Sequence, residues 1–261
     1  MMTKADETVD GIADARLRRL RLYNLGMGAL HAIQGILVLA LATDFSLPVT
    51  AAFMEGPPGT EPAPATELFS VSIPWGVALF LFLSAIAHWT IASPGVFGWY
   101  ARGLAATHNY ARWLEYSLSS SLMIVLIAML TGISDVAALL ALFGVNASMI
   151  LFGWLQERYE RPGAPSFLPF WFGAIAGVVP WIAIGIYLIS PGNAASPPGF
   201  VYGIFASLFV FFNVFAVNLI LQYRRVGPWR DYVFGESVYV ALSLVAKSLL
   251  AWQVFGGTLA S

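Results

Sequence analysis

Two ionisable residues lie in stretches that are otherwise apolar. Lys247 falls within Val-Ala-Leu-Ser-Leu-Val-Ala-Lys-Ser-Leu-Leu-Ala-Trp, and Glu115 within Arg-Trp-Leu-Glu-Tyr-Ser-Leu-Ser-Ser-Ser. A charge at the centre of a membrane helix costs about 2.5 to 3.5 kcal/mol on insertion scales, so a lysine kept there points to a use. Out of water the ammonium form is disfavoured, and a neutral amine condenses with an aldehyde to give a Schiff base. Once protonated, that imine is a buried cation in need of a carboxylate. Glu115 is the one acid that the sequence places well inside an apolar span. The plainer alternative is an ion pair that only fixes two helices together. Buried pairs often break even against apolar residues, so stability alone is a weak reason to keep one.

The elements that must position this pair are membrane helices. Of the 261 residues, 59% are hydrophobic and only 10% charged, against about 25% charged in an ordinary soluble domain. Apolar runs of about 20 residues, enough to cross roughly 30 Å of hydrocarbon, recur near 17–43, 70–92, 107–131, 134–158, 167–190, 199–224 and 232–257. Turn chemistry separates them: Gly56-Pro57-Pro58-Gly59, Ser93-Pro94-Gly95, Thr131-Gly132, Arg161-Pro162-Gly163, Pro191-Gly192-Asn193 and Gly227-Pro228. The expected fold class is an all-α membrane protein, a bundle of seven transmembrane helices forming one domain over 1–261, with one long loop at about 44–69. The apolar stretch after Arg16, Arg18, Arg19 and Arg21 is too long for a signal-peptide core, and reads as the first retained helix.

Orientation follows from the basic residues, which concentrate in cytoplasmic connections. Lys4, Arg16, Arg18, Arg19 and Arg21 precede the first span; Arg102 and Arg112 lie around the second connection; Arg158 and Arg161 flank the fourth span, and Arg224, Arg225 and Arg230 the sixth. The long first connection holds Asp44, Glu55, Glu61 and Glu67 instead. The N-terminus is therefore expected inside the cell and the C-terminus outside. A net charge of −1 offers no footprint for nucleic acid. With no cysteine, disulfides, thiolate metal sites and cysteine nucleophiles are excluded. No nucleophile with its base, metal-ligand spacing or phosphate loop is evident, so enzymatic catalysis has the least support.

The aldehyde that suits a lysine buried in such a bundle is retinal, whose imine a carboxylate would keep protonated and visible-absorbing. The sequence around the pair resembles the heliorhodopsins. The resemblance is carried by Glu115-Tyr116-Ser117-Leu118-Ser119-Ser120-Ser121 on the third span and by the run from Phe143-Gly144-Val145-Asn146-Ala147-Ser148-Met149-Ile150 to Leu151-Phe152-Gly153-Trp154-Leu155-Gln156-Glu157 on the fourth. Pro169-Phe170-Trp171-Phe172-Gly173, Pro198-Gly199-Phe200-Val201-Tyr202-Gly203 and the Lys247 segment complete it. The inverted topology of that family agrees with the orientation read from the charges.

The resemblance implies that Lys247 carries all-trans retinal covalently, that Glu115 is the sole carboxylate counterion, and that Ser84 and Ser243 lie near the Schiff base. Ser243 is also one helical turn before Lys247, which places the two on one face. His31 and His88 match histidines that the family keeps in a polar, proton-accepting region, and Gln34, one turn from His31, is expected to join their network. His108 sits at a span boundary and reads as interfacial. Tyr116, Ser120, Asn146, Met149, Trp171, Phe172, Phe209 and Phe212 are candidates for the polyene slot, although 15% of the residues are aromatic and any one ring is as readily helix packing. Asn146-Ala147-Ser148 matches a glycosylation signal but lies within a span.

Two activities compete: ion transport and sensing. An outward proton pump generally carries a second acid about three turns along the third span and another one turn before the lysine. Those positions are Leu126 and Ser243 here. The expectation is a photoreceptor with a slow photocycle, signalling without ion transport; a light-driven pump or channel, or a transporter or scaffold without retinal, are the alternatives. By resemblance the protein is a cell-membrane homodimer, and a cytoplasmic signalling partner is implied. The basic inner face suits anionic lipid as well as an acidic partner.

Overall fold

The computed structural model describes residues 8–9, 12–189 and 196–259; Lys4 and the Pro191-Gly192-Asn193 turn lie outside the described residues. A short antiparallel pair, β1 (Thr8–Val9) and β2 (Ile12–Ala13), precedes α1 (Asp14–Leu41). The hairpin β3 (Ser46–Ala51) and β4 (Thr66–Ser72) leads into α2 (Ile73–Ala92), α3 (Pro94–Ala105), α4 (Tyr110–Leu130), α5 (Val136–Tyr159), α6 (Leu168–Ile189) and α7 (Gly199–Tyr223). A 3-10 turn, Gly227–Arg230, then starts α8 (Tyr232–Val254), which runs on into a π-helical turn. The fold is mostly helical, and seven helices are long and apolar enough to cross a membrane: α1, α2, α4, α5, α6, α7 and α8.

Three helix starts, those of α4, α5 and α8, are fixed by side chains that accept otherwise unpaired amide hydrogens. Asn109 accepts from the Arg112 amide, Asp135 from Ala138 and Asp231 from Val233. Gly132, two residues past the end of α4, turns the chain at φ +98°, a conformation open to glycine at little cost. At the end of the bundle where α2 finishes and α4 begins, the connections are arginine-rich; this is the basic end. The opposite, hairpin end is packed with apolar side chains: Val77, Phe80 and Leu81 of α2, Ile124, Leu126 and Ile127 of α4, and Leu250 and Val254 of α8 are all buried.

Two elements depart from the sequence expectation. The long connection at 44–69 is a folded hairpin, so the chain is not wholly α. Val49 is buried beside Ile133, and Thr50 bonds Ser134 through both its amide (2.8 Å) and its hydroxyl (2.9 Å), tying β3 to the start of α5. The second connection contains α3, where Ser93-Pro94-Gly95 had suggested only a turn. Proline is equally at home in the first turn of a helix, and α3 buries Tyr100, Ala101 and Leu104 against Leu17, Leu20 and Ile91 while leaving Trp99 exposed. Arg21 helps to hold it, donating to the Ala92 carbonyl at the end of α2 at 2.7 Å and stacking on the Phe97 ring.

Candidate functional site

Lys247 lies fifteen residues into α8 and is buried, and its Nζ donates to three oxygens: Ser84 Oγ at 2.5 Å, Glu115 Oε1 at 2.8 Å and Ser243 Oγ at 3.0 Å. Three helices supply them. Ser243 sits one turn below on α8, Ser84 faces in from α2, and Glu115 from α4. Ser84 also donates to Glu115 Oε1 at 2.7 Å, so one hydroxyl bridges cation and anion. The ring of Tyr116 stands 5.2 Å from the Lys247 nitrogen and presents its electron-rich face to the charge. Tyr116 is itself fixed by a bond from its hydroxyl to the Tyr239 carbonyl, 3.0 Å.

From Lys247 a cavity of about 500 Å³ extends between α4, α5, α6, α7 and α8, within the range of ligand pockets in general. Tyr116, Ser120, Met149, Trp171, Phe209 and Phe212 line it, as the sequence suggested. Trp181, which the sequence reading passed over, stands edge-on to Phe205, Phe209 and Phe212 at 5.3 to 5.6 Å and forms the aromatic end of the slot. Its position one residue after Pro180, inside α6, was the available signal. Between Trp171 and Trp181 the α6 wall is small, with Gly173, Ala174 and Gly177. A β-carbon on Gly177 would come within 2.3 Å of Met149 Sδ, so glycine there sets where Met149 lies.

Several expected residues sit elsewhere. Phe172 does not line the cavity; it is 49% exposed on the outer face of α6 and packs against Phe152. Trp171 and Phe172 are adjacent on a helix and about 100° apart, and the rotation of α6 turns Phe170 and Trp171 to the cavity and Phe172 away from it. Asn146 stands just behind the wall, its amide donating to Ser120 (2.9 Å) and Ser121 (3.0 Å), and is buried beyond reach of glycosylation. His31 and His88 stack with centroids 5.7 Å apart, and His88 bonds Asn24 Oδ1 at 2.8 Å. Gln34 does not join them: it accepts from Trp252 Nε1 at 3.1 Å, on a different face of α1. His108 stacks on Tyr110 at 4.4 Å.

The larger correction concerns Arg112. Read as part of a connection, it is buried, and so are Glu157 and Glu236, which means that Glu115 is not the only acid enclosed by the bundle. The Arg112 guanidinium pairs with both carboxylates at once and lies over the Tyr239 ring at 3.9 Å. Asn109 supplies its amide to Glu157 and its side chain to Glu236, each at 2.8 Å; Tyr232 donates to Glu157 at 2.8 Å. Each charged residue lies within about a turn and a half of a helix end, where sequence alone suggests water. Only the convergence of α4, α5 and α8 encloses them.

The groups around the cavity fit a long apolar ligand with one polar end. Its walls are almost wholly carbon, Lys247 and Ser243 are among the few polar groups that line it, and the Ser119 hydroxyl approaches Glu115. The lysine, the carboxylate and the slot together can hold an aldehyde covalently and stabilise a cation at the attachment nitrogen. No curated protein matches the chain. The Heliorhodopsin family profile matches residues 20–259, nearly the whole sequence. The chain thus belongs to the heliorhodopsin family, whose members are retinal-binding rhodopsins of seven membrane helices.

Proposed function

We propose that the protein is a light sensor in which Lys247 carries all-trans retinal as a protonated Schiff base and Glu115 is its counterion. The observation that carries this reading is the position of Lys247 Nζ, 2.8 Å from Glu115 and at the mouth of an apolar cavity of about 500 Å³. Bound retinal supplies the visible absorption and the light-driven change of shape. The chain's own residues do the rest. Condensation leaves one hydrogen on the lysine nitrogen where the ammonium has three, so Glu115, Ser84 and Ser243 then compete for a single donor. The charged oxygen of Glu115 is the strongest acceptor among them. Ser84 holds that carboxylate in place, and the ring of Tyr116 excludes water beside it. Met149, Trp181, Phe209 and Phe212 would grip the polyene and its ring.

Signalling without transport is supported by the distribution of polar groups. Buried ionisable side chains lie at Lys247 or between it and the basic end. Towards the hairpin end, from Phe80 and Leu126 to Leu250 and Val254, the described core is largely apolar and holds hydroxyls such as Thr131 but no buried ionisable side chain. An ion moving through would have no charged partner among the described residues there, and unpaired charge in such surroundings is costly. A slow photocycle follows from the lack of an acid one turn before Lys247, where Ser243 stands. We further propose one domain over 1–261 in the cell membrane, with the basic N-terminal end in the cytoplasm facing a signalling partner and the C-terminus outside. Exposed Phe53, Met54, Leu68 and Phe69 on and beside the hairpin support a homodimer through that face.

Two experiments test the reading. Borohydride reduction of the illuminated pigment, followed by mass analysis of its peptides, should leave a retinyl group on the peptide containing Lys247; a label elsewhere contradicts the assignment. Cells producing the protein should show no light-driven pH change that a protonophore abolishes; such a change would make it a pump.

A further inference from the structure

We infer that Arg112, Glu157 and Glu236 form a proton-accepting site, joined to Glu115 by a small polar cavity, that takes up the proton leaving the Lys247 nitrogen after light. This rests on the reading that Lys247 carries the chromophore.

The first ground is charge balance. One guanidinium faces two buried carboxylates, so the cluster holds one negative charge in excess when both are ionised. All four carboxylate oxygens accept: Arg112 and Tyr232 serve one oxygen of Glu157 and the Asn109 amide the other, while Arg112 and Gln222 serve one oxygen of Glu236 and the Asn109 side chain the other. These donors fix both carboxylates in place, and the excess negative charge, buried and uncompensated, is relieved when the pair takes up one proton. Two such groups titrate as a pair, so the proton belongs to the cluster and not to one residue.

The second ground is the connection. A cavity of about 40 Å³ lies between Glu115 and Glu236, and His88, Tyr100 and Arg112 line it. It is large enough for a water, which needs some 10 to 15 Å³ and two to four polar partners. Those partners are present. The Tyr100 hydroxyl, fully enclosed, makes no hydrogen bond of normal geometry, and Arg112 Nε is also unpartnered. Tyr100 approaches Asn24, which bonds His88. Burial holds the Tyr100 phenol well above its ordinary pKa, so it passes protons on as a neutral hydroxyl and does not itself ionise. The other titratable groups facing the cluster are Tyr116 from α4, Tyr223 from α7, and Tyr232 and Tyr239 from α8.

The step balances within the protein. The N–H bond at Lys247 breaks, its electron pair stays on nitrogen, and an O–H bond forms at the Glu157–Glu236 pair. Positive charge disappears at one end of the path and negative charge at the other. No ion leaves, and the inner ends of α4, α5 and α8 lose one of the charges that hold them together.

Light-minus-dark infrared spectra of the retinal-loaded full chain in lipid vesicles test this. A carboxylic acid C=O band should rise as the visible band of the protonated pigment is lost, and it should be absent in both Glu157→Gln and Glu236→Gln, whose dark pigment remains coloured. A band that persists in both overturns the proposal. Tyr100→Phe, which leaves the cluster's own bonds intact, should slow the rise at least severalfold; unchanged kinetics there overturn it too, even if the glutamine variants fail to fold. The retinal-free protein gives a second readout: acidification should bring in the same band in wild type and not in the two variants. A wild type that forms no pigment would sink the chromophore reading, and the retinal-free titration would still decide whether the cluster takes up a proton.

Discussion

The hydroxyl of Ser84 donates to Glu115 at 2.7 Å, on the same carboxylate oxygen that Lys247 reaches at 2.8 Å. Cation and anion thus share a third group from a third helix, so the pair is held in register by α2 as well as by α4 and α8. Ser84→Ala removes one donor from a buried carboxylate without removing the charge. The pigment should still form and stay coloured, with a loss of about 1 to 3 kcal/mol in stability, the usual cost of leaving a buried polar group short of a partner. Thermal unfolding in detergent beside wild type measures it; an unchanged Tm contradicts the bridging role.

The Arg112 cluster should respond asymmetrically. Arg112→Met leaves two buried carboxylates facing each other and should cost about 3 to 5 kcal/mol or prevent folding. Combining it with Glu157→Gln and Glu236→Gln removes the uncompensated charge and should recover most of that loss. If the triple variant is no more stable than Arg112→Met, the cluster's contribution is not electrostatic.

Gly177 should set the size of the chromophore slot. In Gly177→Ala the new β-carbon meets Met149 Sδ at 2.3 Å, so Met149 must swing, and the open side is the cavity. Retinal uptake should slow severalfold and the visible band should shift. Adding Met149→Ala should restore both. Uptake and colour unchanged in Gly177→Ala would show that Met149 finds room elsewhere.

Outside the spans, Glu160 accepts hydrogen bonds from both the amide and the hydroxyl of Ser166, which hold its carboxyl below the ordinary carboxylate range. A depressed folded pKa contributes stability above the unfolded value, about 4.3 for glutamate, and that contribution is lost as pH falls through the folded pKa. The connection from α5 to α6 should therefore be tighter at neutral pH than in acid. Hydrogen exchange of the Ser166 amide should accelerate in Ser166→Ala at neutral pH and differ little from wild type in strong acid. The group is exposed, so the effect on global stability should be small.

The seven spans and the Lys247–Glu115 pair were legible in the sequence because hydropathy and a lone buried charge are local signals. Tyr116, Met149, Phe209 and Phe212 also stand where helix position suggested. What the sequence hid depends on convergence. Arg112, Glu157 and Glu236 each look like boundary charges until three helix ends meet. Gln34 lies one turn from His31 yet faces Trp252, since three residues on a helix still leave about 60° between directions. Phe172 was indistinguishable from Trp171 by composition, and only the rotation of α6 separates them. α3 was masked by Ser93-Pro94-Gly95, which marks a stop and a start equally well.

The most direct test of the account is the visible spectrum of the purified protein supplied with all-trans retinal, beside Lys247→Ala and Glu115→Gln. The account predicts a visible band in wild type that is absent in Lys247→Ala and red-shifted or bleached in Glu115→Gln. Folded wild-type protein that stays colourless would contradict it, leaving Lys247 and Glu115 as a structural ion pair between α8 and α4.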